Sequence, residues 1–149
     1  MKVRSGPYPL DEAGYSMAWW AAFLAFVLVP LMSLAVDITR LLHVRTDLQA
    51  AIDAACEAAA LAPDLGAFRE TGVQSINEGL AGAYAAYAFR ASVVEADLVQ
   101  YDPALTMLST IGPSEVACGA QAVVRSLIPF GLRLNVAVAA RAKMRFIQR

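Results

Sequence analysis

The chain has 149 residues, a net charge of −1 at neutral pH, 58% apolar residues and only 17% charged residues. This length allows one ordinary domain with an anchor, and the excess of apolar over charged residues indicates a membrane protein. Without a net positive charge, a nucleic-acid-binding protein that depends on the electrostatics of the whole chain is excluded.

The first predicted element is a transmembrane helix over residues 17–36, which follows a short leader, residues 1–16. The segment MAWWAAFLAFVLVPLMSLAV has no charge, and its 20 residues are long enough to cross a hydrocarbon core of about 30 Å. Trp19 and Trp20 lie near one end, where indole side chains favour the membrane interface, and Pro30 predicts a kink without a break. A retained anchor is favoured over a cleaved secretory signal, because the apolar run is longer than a signal core and is followed by a poor cleavage site.

The orientation of this helix is predicted from the sizes of its two flanks. The positive-inside rule does not decide the orientation, since each side of the span has two basic residues. Lys2 and Arg4 precede it, and Arg40 and Arg45 follow it. The leader is too short and too rich in Pro and Gly to fold, whereas the residues after the span can form a domain. We therefore expect the N-terminus in the cytoplasm and the C-terminal domain outside.

The helix is predicted to continue through residues 37–62 as an extramembrane stalk. This stretch contains no Gly or Pro, and its apolar residues recur every three or four positions. Its second half, LQAAIDAACEAAALA, is rich in alanine, which has high helix propensity and lets a neighbouring backbone approach closely. We therefore predict a helix-packing interface on one face of the stalk, formed by Leu48, Ile52, Ala55 and Ala59.

Spaced positions along the span and the stalk form a pattern. A Gly in the leader precedes the apolar span. The span ends in a small apolar residue followed by Asp, and a Leu-Gln pair and an Asp-Ala-Ala run come after it. The pattern resembles the N-terminal segment of the Flp pilus-assembly TadE/TadG-like family over roughly residues 14–62. The matching motif residues are Gly14, Asp37, Leu48, Gln49 and Asp53. One departure is Trp19, which stands where pilin-like precursors cut by prepilin peptidase carry Glu, five residues after the cut.

This resemblance implies a non-enzymatic, single-pass protein of the bacterial cytoplasmic membrane. The protein would act as a minor pilin-like subunit or an assembly component of a Tad/Flp-type pilus, through helix packing with partner subunits. The implied partners are membrane lipid and pilus or pilus-assembly subunits, including further copies of the chain. The implied final location is the membrane or an extracellular filament, and no cofactor or small-molecule substrate is implied.

Residues 63–149 are predicted to form a globular α+β region. Pro63 and Gly66 end the stalk, and a capping-box-like start at Thr71 predicts a second helix. Its apolar face is predicted to consist of Val73, Ile76, Leu80, Tyr84 and Tyr87.

Strands are predicted for the rest of the chain. Alternating side chains predict one strand over residues 94–98, and Gly and Pro turns bound two more at 105–111 and 116–127. The clearest alternation is over residues 134–146. Short connections favour antiparallel order. The predicted fold is a membrane-anchored, pilin-like α+β fold with a long N-terminal helix, a second helix and an antiparallel sheet of three to four strands.

The last predicted strand carries a basic stripe that includes Arg141, Lys143 and Arg145. This stripe is predicted to lie opposite Glu95 and Asp97 across the sheet. The alternative function is a monomeric anchored ectodomain that binds an anionic surface polymer through these three basic residues. Nucleic acid is a weaker candidate partner, because no aromatic residues are interleaved with the charges.

The sequence contains little that predicts chemistry. Cys56 and Cys118 are the only cysteines, and they are compatible either with a disulfide, worth about 4 kcal/mol in the chain-entropy model, or with two buried free thiols. His43, the only histidine, is predicted to be an interfacial side chain with no carboxylate at ligand spacing. No nucleophile elbow, P-loop or Rossmann fingerprint occurs, so no catalytic, cofactor-binding or metal site is predicted.

Overall fold

The computed structural model describes residues 12–126 and 132–145, with the side chains described from residue 16 onward. It has the predicted α+β architecture, with a long N-terminal helix followed by shorter helices and an antiparallel sheet. The helices are α1 (Glu12–Phe23), α2 (Val29–Ala60), α3 (Leu65–Thr71) and α4 (Glu78–Glu95), and the strands are β1 (Ala104–Thr110), β2 (Glu115–Arg125) and β3 (Arg133–Lys143).

One long helix organises the molecule. A π-helical segment of 5 residues, Leu24–Leu28, joins α1 to α2, so the chain stays helical to Ala60. Pro30 lies in the first turn of α2. A proline lacks an N–H and crowds the carbonyl four residues earlier, and the wider π-helical turn provides the local distortion that relieves both effects. The prediction that the helix passes through Pro30 without a break is confirmed.

The second half of α2 lies at the centre of a globular head, which we define as residues 37–126 and 132–145. From Val44 to Ala60 the inward-facing side chains of α2 are buried, and they pack against α4, β2 and β3. The predicted stalk, residues 37–62, therefore supplies the core of the head, and the neighbours that its alanines were expected to admit are α4 and the sheet. The packing depends on alanine, because small side chains let α4 and the sheet approach the helix backbone.

The second predicted helix is α4, and it begins later than predicted. Asn77 is its N-cap, since the Asn77 side-chain oxygen accepts a hydrogen bond from the backbone N–H of Leu80 at 3.1 Å. The predicted start at Thr71 is wrong, because Thr71 is the last residue of the short helix α3. That helix ends at Gly72, whose φ of 69° lies in the left-handed region that glycine adopts without strain.

The predicted apolar face of this helix is also wrong. Ile76 is buried, but it precedes the helix, and the other four predicted residues are exposed: Val73, Leu80, Tyr84 and Tyr87. The face of α4 that is buried consists of Ala81, Ala85, Phe89 and Val93. A face rich in alanine can pack closely on the alanine-rich α2, and this close packing leaves the bulkier side chains on the outside.

The predicted strand over residues 94–98 is not formed. The backbone N–H of Ala96 still donates to the carbonyl of Ser92 at 3.0 Å, and the chain then turns at Asp97, which has a φ of 52°. A 3₁₀ turn, Val99–Tyr101, follows. The short alternation in the sequence reflects the end of a helix and the turn after it.

The sheet has three antiparallel strands in the order β1-β2-β3 within the described part of the chain. The three later strand predictions are confirmed to within a few residues. In β3, Val136, Val138 and Ala140 are buried against α2, and the residues between them are exposed. Leu127 and Phe146, at the ends of two predicted strands, and most of the predicted leader lie outside the described residues.

Candidate functional site

The N-terminal half of the long helix is bare. From Ser16 to Val36 every side chain is exposed except Ser33, which is half-buried. Among the described residues, the helix Ser16–Ala60 is the one that is long and apolar enough to cross a membrane, by length and composition. It has 45 residues, and its most apolar window has a mean hydropathy of 2.3 and is only 6% buried. One helix therefore has two halves. We call the uncovered apolar half, residues 16–36, the bare half, and the half that packs in the head, residues 37–60, the enclosed half.

Aromatic side chains lie near the start of the bare half. Trp19 and Trp20 are 65% and 64% exposed. The rings of Trp20 and Phe23 meet edge to face, with 5.8 Å between their centroids. Indole rings favour the interface between lipid and water, and Trp19 and Trp20 lie near one end of the exposed apolar stretch of the helix.

Polar contacts fix the helix where it enters the head. Asp37 is only 7% exposed, and its Oδ2 accepts a hydrogen bond from the hydroxyl of Ser126, the residue after β2. One turn later, Arg40 donates from Nε to the Tyr101 hydroxyl at 3.1 Å, and the Arg40 guanidinium lies 5.5 Å from the centroid of that ring. These contacts join the first turn of the enclosed half to the end of β2 and to the turn after α4.

Two further motif residues, Gln49 and Leu48, also contribute to the packing of the head. The side-chain nitrogen of Gln49 donates to Asp53 Oδ1 at 2.9 Å, as expected from their helical spacing, and also to the carbonyl of Ala139 on β3 at 3.2 Å. Gln49 therefore links α2 to the sheet. Leu48, next to it, is completely buried, and Gly14 lies within α1.

The predicted helix-packing residues all face into the head. Each of the four is 0% exposed: Leu48, Ile52, Ala55 and Ala59. They belong to the core cluster that includes residues of α4, β2 and β3. The predicted close packing is thus found within the chain itself, and these side chains are not accessible to a second protein. A partner has to contact other surfaces.

The structure joins Cys56 of α2 to Cys118 of β2 in a disulfide. Their Cα atoms are 5.7 Å apart, and 62 positions separate them in the sequence. Both residues lie in the core, at 1% and 0% exposure. Of the two states that the sequence left open, the described structure contains the cross-linked one.

The basic residues proposed for an anionic polymer are all exposed: Arg141, Lys143 and Arg145. The prediction that they lie opposite Glu95 and Asp97 is wrong, because those two residues are at the end of α4 and in the turn after it. The neighbouring strand of β3 is β2, where Glu115 stands opposite Lys143. An acidic residue therefore lies across from one of the three basic residues.

The expectation that His43 has no carboxylate at ligand spacing is wrong. Its Nε2 lies 3.3 Å from Oδ2 of Asp47, and the His43 side chain is 77% exposed. The signal was the spacing of four residues along a helix, which brings two side chains together on one face. In residues 12–126 and 132–145 no group of three or more His, Cys, Asp or Glu side chains is arranged to hold a metal ion.

The comparison with protein families agrees with the pattern of the long helix. The family model Tad, described as "Putative Flp pilus-assembly TadE/G-like", matches residues 14–62. No curated protein and no solved structure matches the chain significantly. The matched residues contain the bare half, the polar contacts of Asp37 and the enclosed half of the helix. The predicted resemblance is therefore confirmed: residues 14–62, about a third of this chain, match the Flp pilus-assembly TadE/G-like family.

Proposed function

We propose that this chain is a non-enzymatic, single-pass protein of the bacterial cytoplasmic membrane that acts as a minor pilin-like subunit or assembly component of a Tad/Flp-type pilus. The observation that carries this proposal is the division of one continuous helix into a bare apolar half and a half buried in a folded head. The family match over the same residues supports a pilus-related role. The head lies outside the membrane, and the N-terminus lies in the cytoplasm.

The bare half is the part that exchanges one set of contacts for another. In the membrane its side chains contact lipid, and in an assembly complex or a filament they contact other helices. Lipid tails are as apolar as leucine, so close packing decides whether helices associate. Four small residues lie within two turns near the start of the bare half: Ala18, Ala21, Ala22 and Ala25. They let a partner helix approach the backbone.

The head moves with the bare half as one body. α2 has no break between Val29 and Ala60, so no flexible linker separates the membrane segment from the core. The Cys56–Cys118 disulfide and the Gln49 contact tie this helix to the sheet. A partner that pulls on the bare half therefore displaces the whole head, as a subunit moving between a membrane and a filament requires.

Replacement of both Ala21 and Ala25 with Ile is expected to lower the recovery of pilus-assembly partners with this chain about tenfold, because added bulk separates helices that small residues allow to pack. Insertion should be unchanged, because isoleucine is at least as apolar as alanine. The measurement is the amount of each partner that co-purifies from detergent-solubilised membranes, divided by the amount of this chain.

The matched control replaces Leu28 and Leu31 with Ile, which changes the shape of two exposed side chains of the bare half while conserving their volume. This variant should recover partners as the unmodified chain does. Equal recovery in the alanine variant, at an equal amount of inserted chain, would contradict packing through the bare half. Recovery of the unmodified chain from the soluble fraction would contradict the proposed function as a whole.

A further inference from the structure

α4 has a second apolar face, opposite the face that packs on α2. The exposed fractions of its large side chains are 45% for Leu80, 47% for Tyr84, 78% for Tyr87 and 69% for Val94, and Ala91 between them is exposed as well. We call these five residues the α4 stripe. Their spacing of four, three, four and three residues is that of the contact positions of a coiled coil.

The α4 stripe is large enough to be an interaction surface. Its exposed side chains present on the order of 500 Å², given that aromatic side chains bury about 150–250 Å² each. The largest apolar patch of a typical soluble monomer is about 300–600 Å² and is often functional. A standard interface buries about 800 Å² on each partner, so the stripe and its flanks reach the lower end of that class.

Opposite charges flank the α4 stripe. When Leu80, Tyr87 and Val94 are placed at the d positions of a heptad repeat, Arg90 occupies a g position on one side of the stripe. Glu95, five residues later, occupies an e position on the other side. Both are exposed, and neither forms an ion pair within the part of the chain that the structure describes. In a parallel two-stranded coiled coil, these two positions meet across the interface between the helices.

The direction of α4 within the head also favours a parallel arrangement of two α4 helices. The start of α4 is near the far end of α2, since the backbone N–H of Asn77 donates to the carbonyl of Ala62 at 3.0 Å. Tyr101, after the end of α4, contacts Arg40 near the bare half. α4 therefore runs back towards the membrane end of the head. Two copies anchored in one membrane with the same orientation have their α4 helices parallel.

We propose that the α4 stripe binds the α4 stripe of a second copy of this chain, in parallel, with Arg90 of each copy paired with Glu95 of the other. The proposal rests on the membrane anchoring in the proposed function, and it names one partner of the head. The stripe covers only about two heptads, fewer than the three or four of a sustained coiled coil. Pairing therefore depends on the high effective concentration that a shared membrane provides.

The test is disulfide cross-linking of the full-length chain in its own membrane. Ala91→Cys places a thiol at the centre of the stripe with little change in volume, and in the parallel pair it faces the same residue of the other copy. The native cysteines are already joined to each other and buried. Mild oxidation should give a dimer. Ala54→Cys, at an exposed alanine on the outer face of α2, is the matched control and should remain monomeric.

Charge substitutions in the Ala91→Cys chain test the identity and direction of the partner. Arg90→Glu alone, or Glu95→Arg alone, should lower the yield of dimer about fivefold, because each replaces two attractive contacts between exposed charges with two repulsive ones. When the two single variants are expressed together, mixed dimers should return to the original yield, because both contacts are again between opposite charges. The double variant should also dimerise with itself.

Four results would overturn this proposal: no Ala91→Cys dimer in membranes that contain the chain, a yield that does not respond to the charges, cross-linking to a different protein in place of a second copy, or a loss that co-expression does not restore. The last of these would exclude the parallel arrangement. The same membrane fractions separate the two proposals. If the chain is absent from them, the proposed function fails, whereas an inserted chain without dimer contradicts the self-pairing alone.

Discussion

Removal of the disulfide, by replacing both Cys56 and Cys118 with Ala, is expected to lower the free energy of unfolding of the head by about 4 kcal/mol. The bond closes a loop of 62 positions and joins the central helix to the middle strand of the sheet. In the chain-entropy model, the cross-link that closes a loop of this length greatly lowers the conformational entropy of the unfolded chain. The loss is a large part of the 5–15 kcal/mol that is typical of a whole domain, so the variant head should unfold at a clearly lower denaturant concentration.

The measurement is denaturant unfolding of the full-length chain in detergent, with and without a reducing agent. The unmodified chain should unfold at a much lower denaturant concentration after reduction, and the double alanine variant should not respond to the reducing agent. This comparison separates the cross-link from the packing of two buried sulfur atoms. An unchanged midpoint after complete reduction would show that the bond does not stabilise the head.

Ala55→Leu is expected to destabilise the head by about 2–3 kcal/mol, whereas Ala54→Leu, one position earlier, should change its stability by less than about 0.5 kcal/mol. Ala55 is 0% exposed and belongs to the same core cluster as Ala81 and Ala85 of α4, while Ala54 is exposed. Three added carbons at the buried position force α2 and its neighbours apart. At the exposed position they project into solvent.

The same unfolding assay, together with the rate of proteolysis of the head, measures this difference. The two variants have the same composition and the same change in side chain, so a difference between them reports burial alone. If Ala55→Leu folds as stably as Ala54→Leu and loses only its partners, the alanine face is an external interface. That result would contradict the structure.

The long helix was predictable because its signals are long. A run of 20 uncharged residues followed by a regular apolar period without Gly or Pro leaves few alternatives, and the motif residues spaced along it give a family resemblance. The later strands were predictable because Gly and Pro turns bound them. The strand predicted over residues 94–98 rested on five residues, and so short a pattern does not distinguish a strand from the end of a helix.

The buried face of α4 was not predicted, because periodicity shows that a helix has distinct faces without showing which one is inside. The larger side chains, such as Tyr84 and Tyr87, favoured the wrong face. The physical signal was the match between Ala81 and Ala85, four residues apart, and the alanines of α2, since two small-residue faces allow close packing. A large side chain that is left outside by such packing is a candidate for an interaction surface.

The contacts at the boundary of the head were beyond what a single sequence gives. Asp37 meets Ser126 across 89 positions, and Gln49 meets the carbonyl of Ala139 across 90 positions. Pairing at such distances depends on the tertiary fold, which local propensity does not encode. The resemblance marked Asp37 and Gln49 as motif residues, and the structure supplies the physical reason: both attach the helix to the head.

Accessibility of single cysteines tests the central claim, that one helix lies half in lipid and half in the head. Phe26→Cys lies in the bare half, and Glu57→Cys lies on the exposed side of the enclosed half. In spheroplasts, a membrane-impermeant thiol reagent should modify Glu57→Cys at once and should modify Phe26→Cys only after detergent is added. Modification of Phe26→Cys in intact spheroplasts, or of Glu57→Cys only after lysis, would contradict the account.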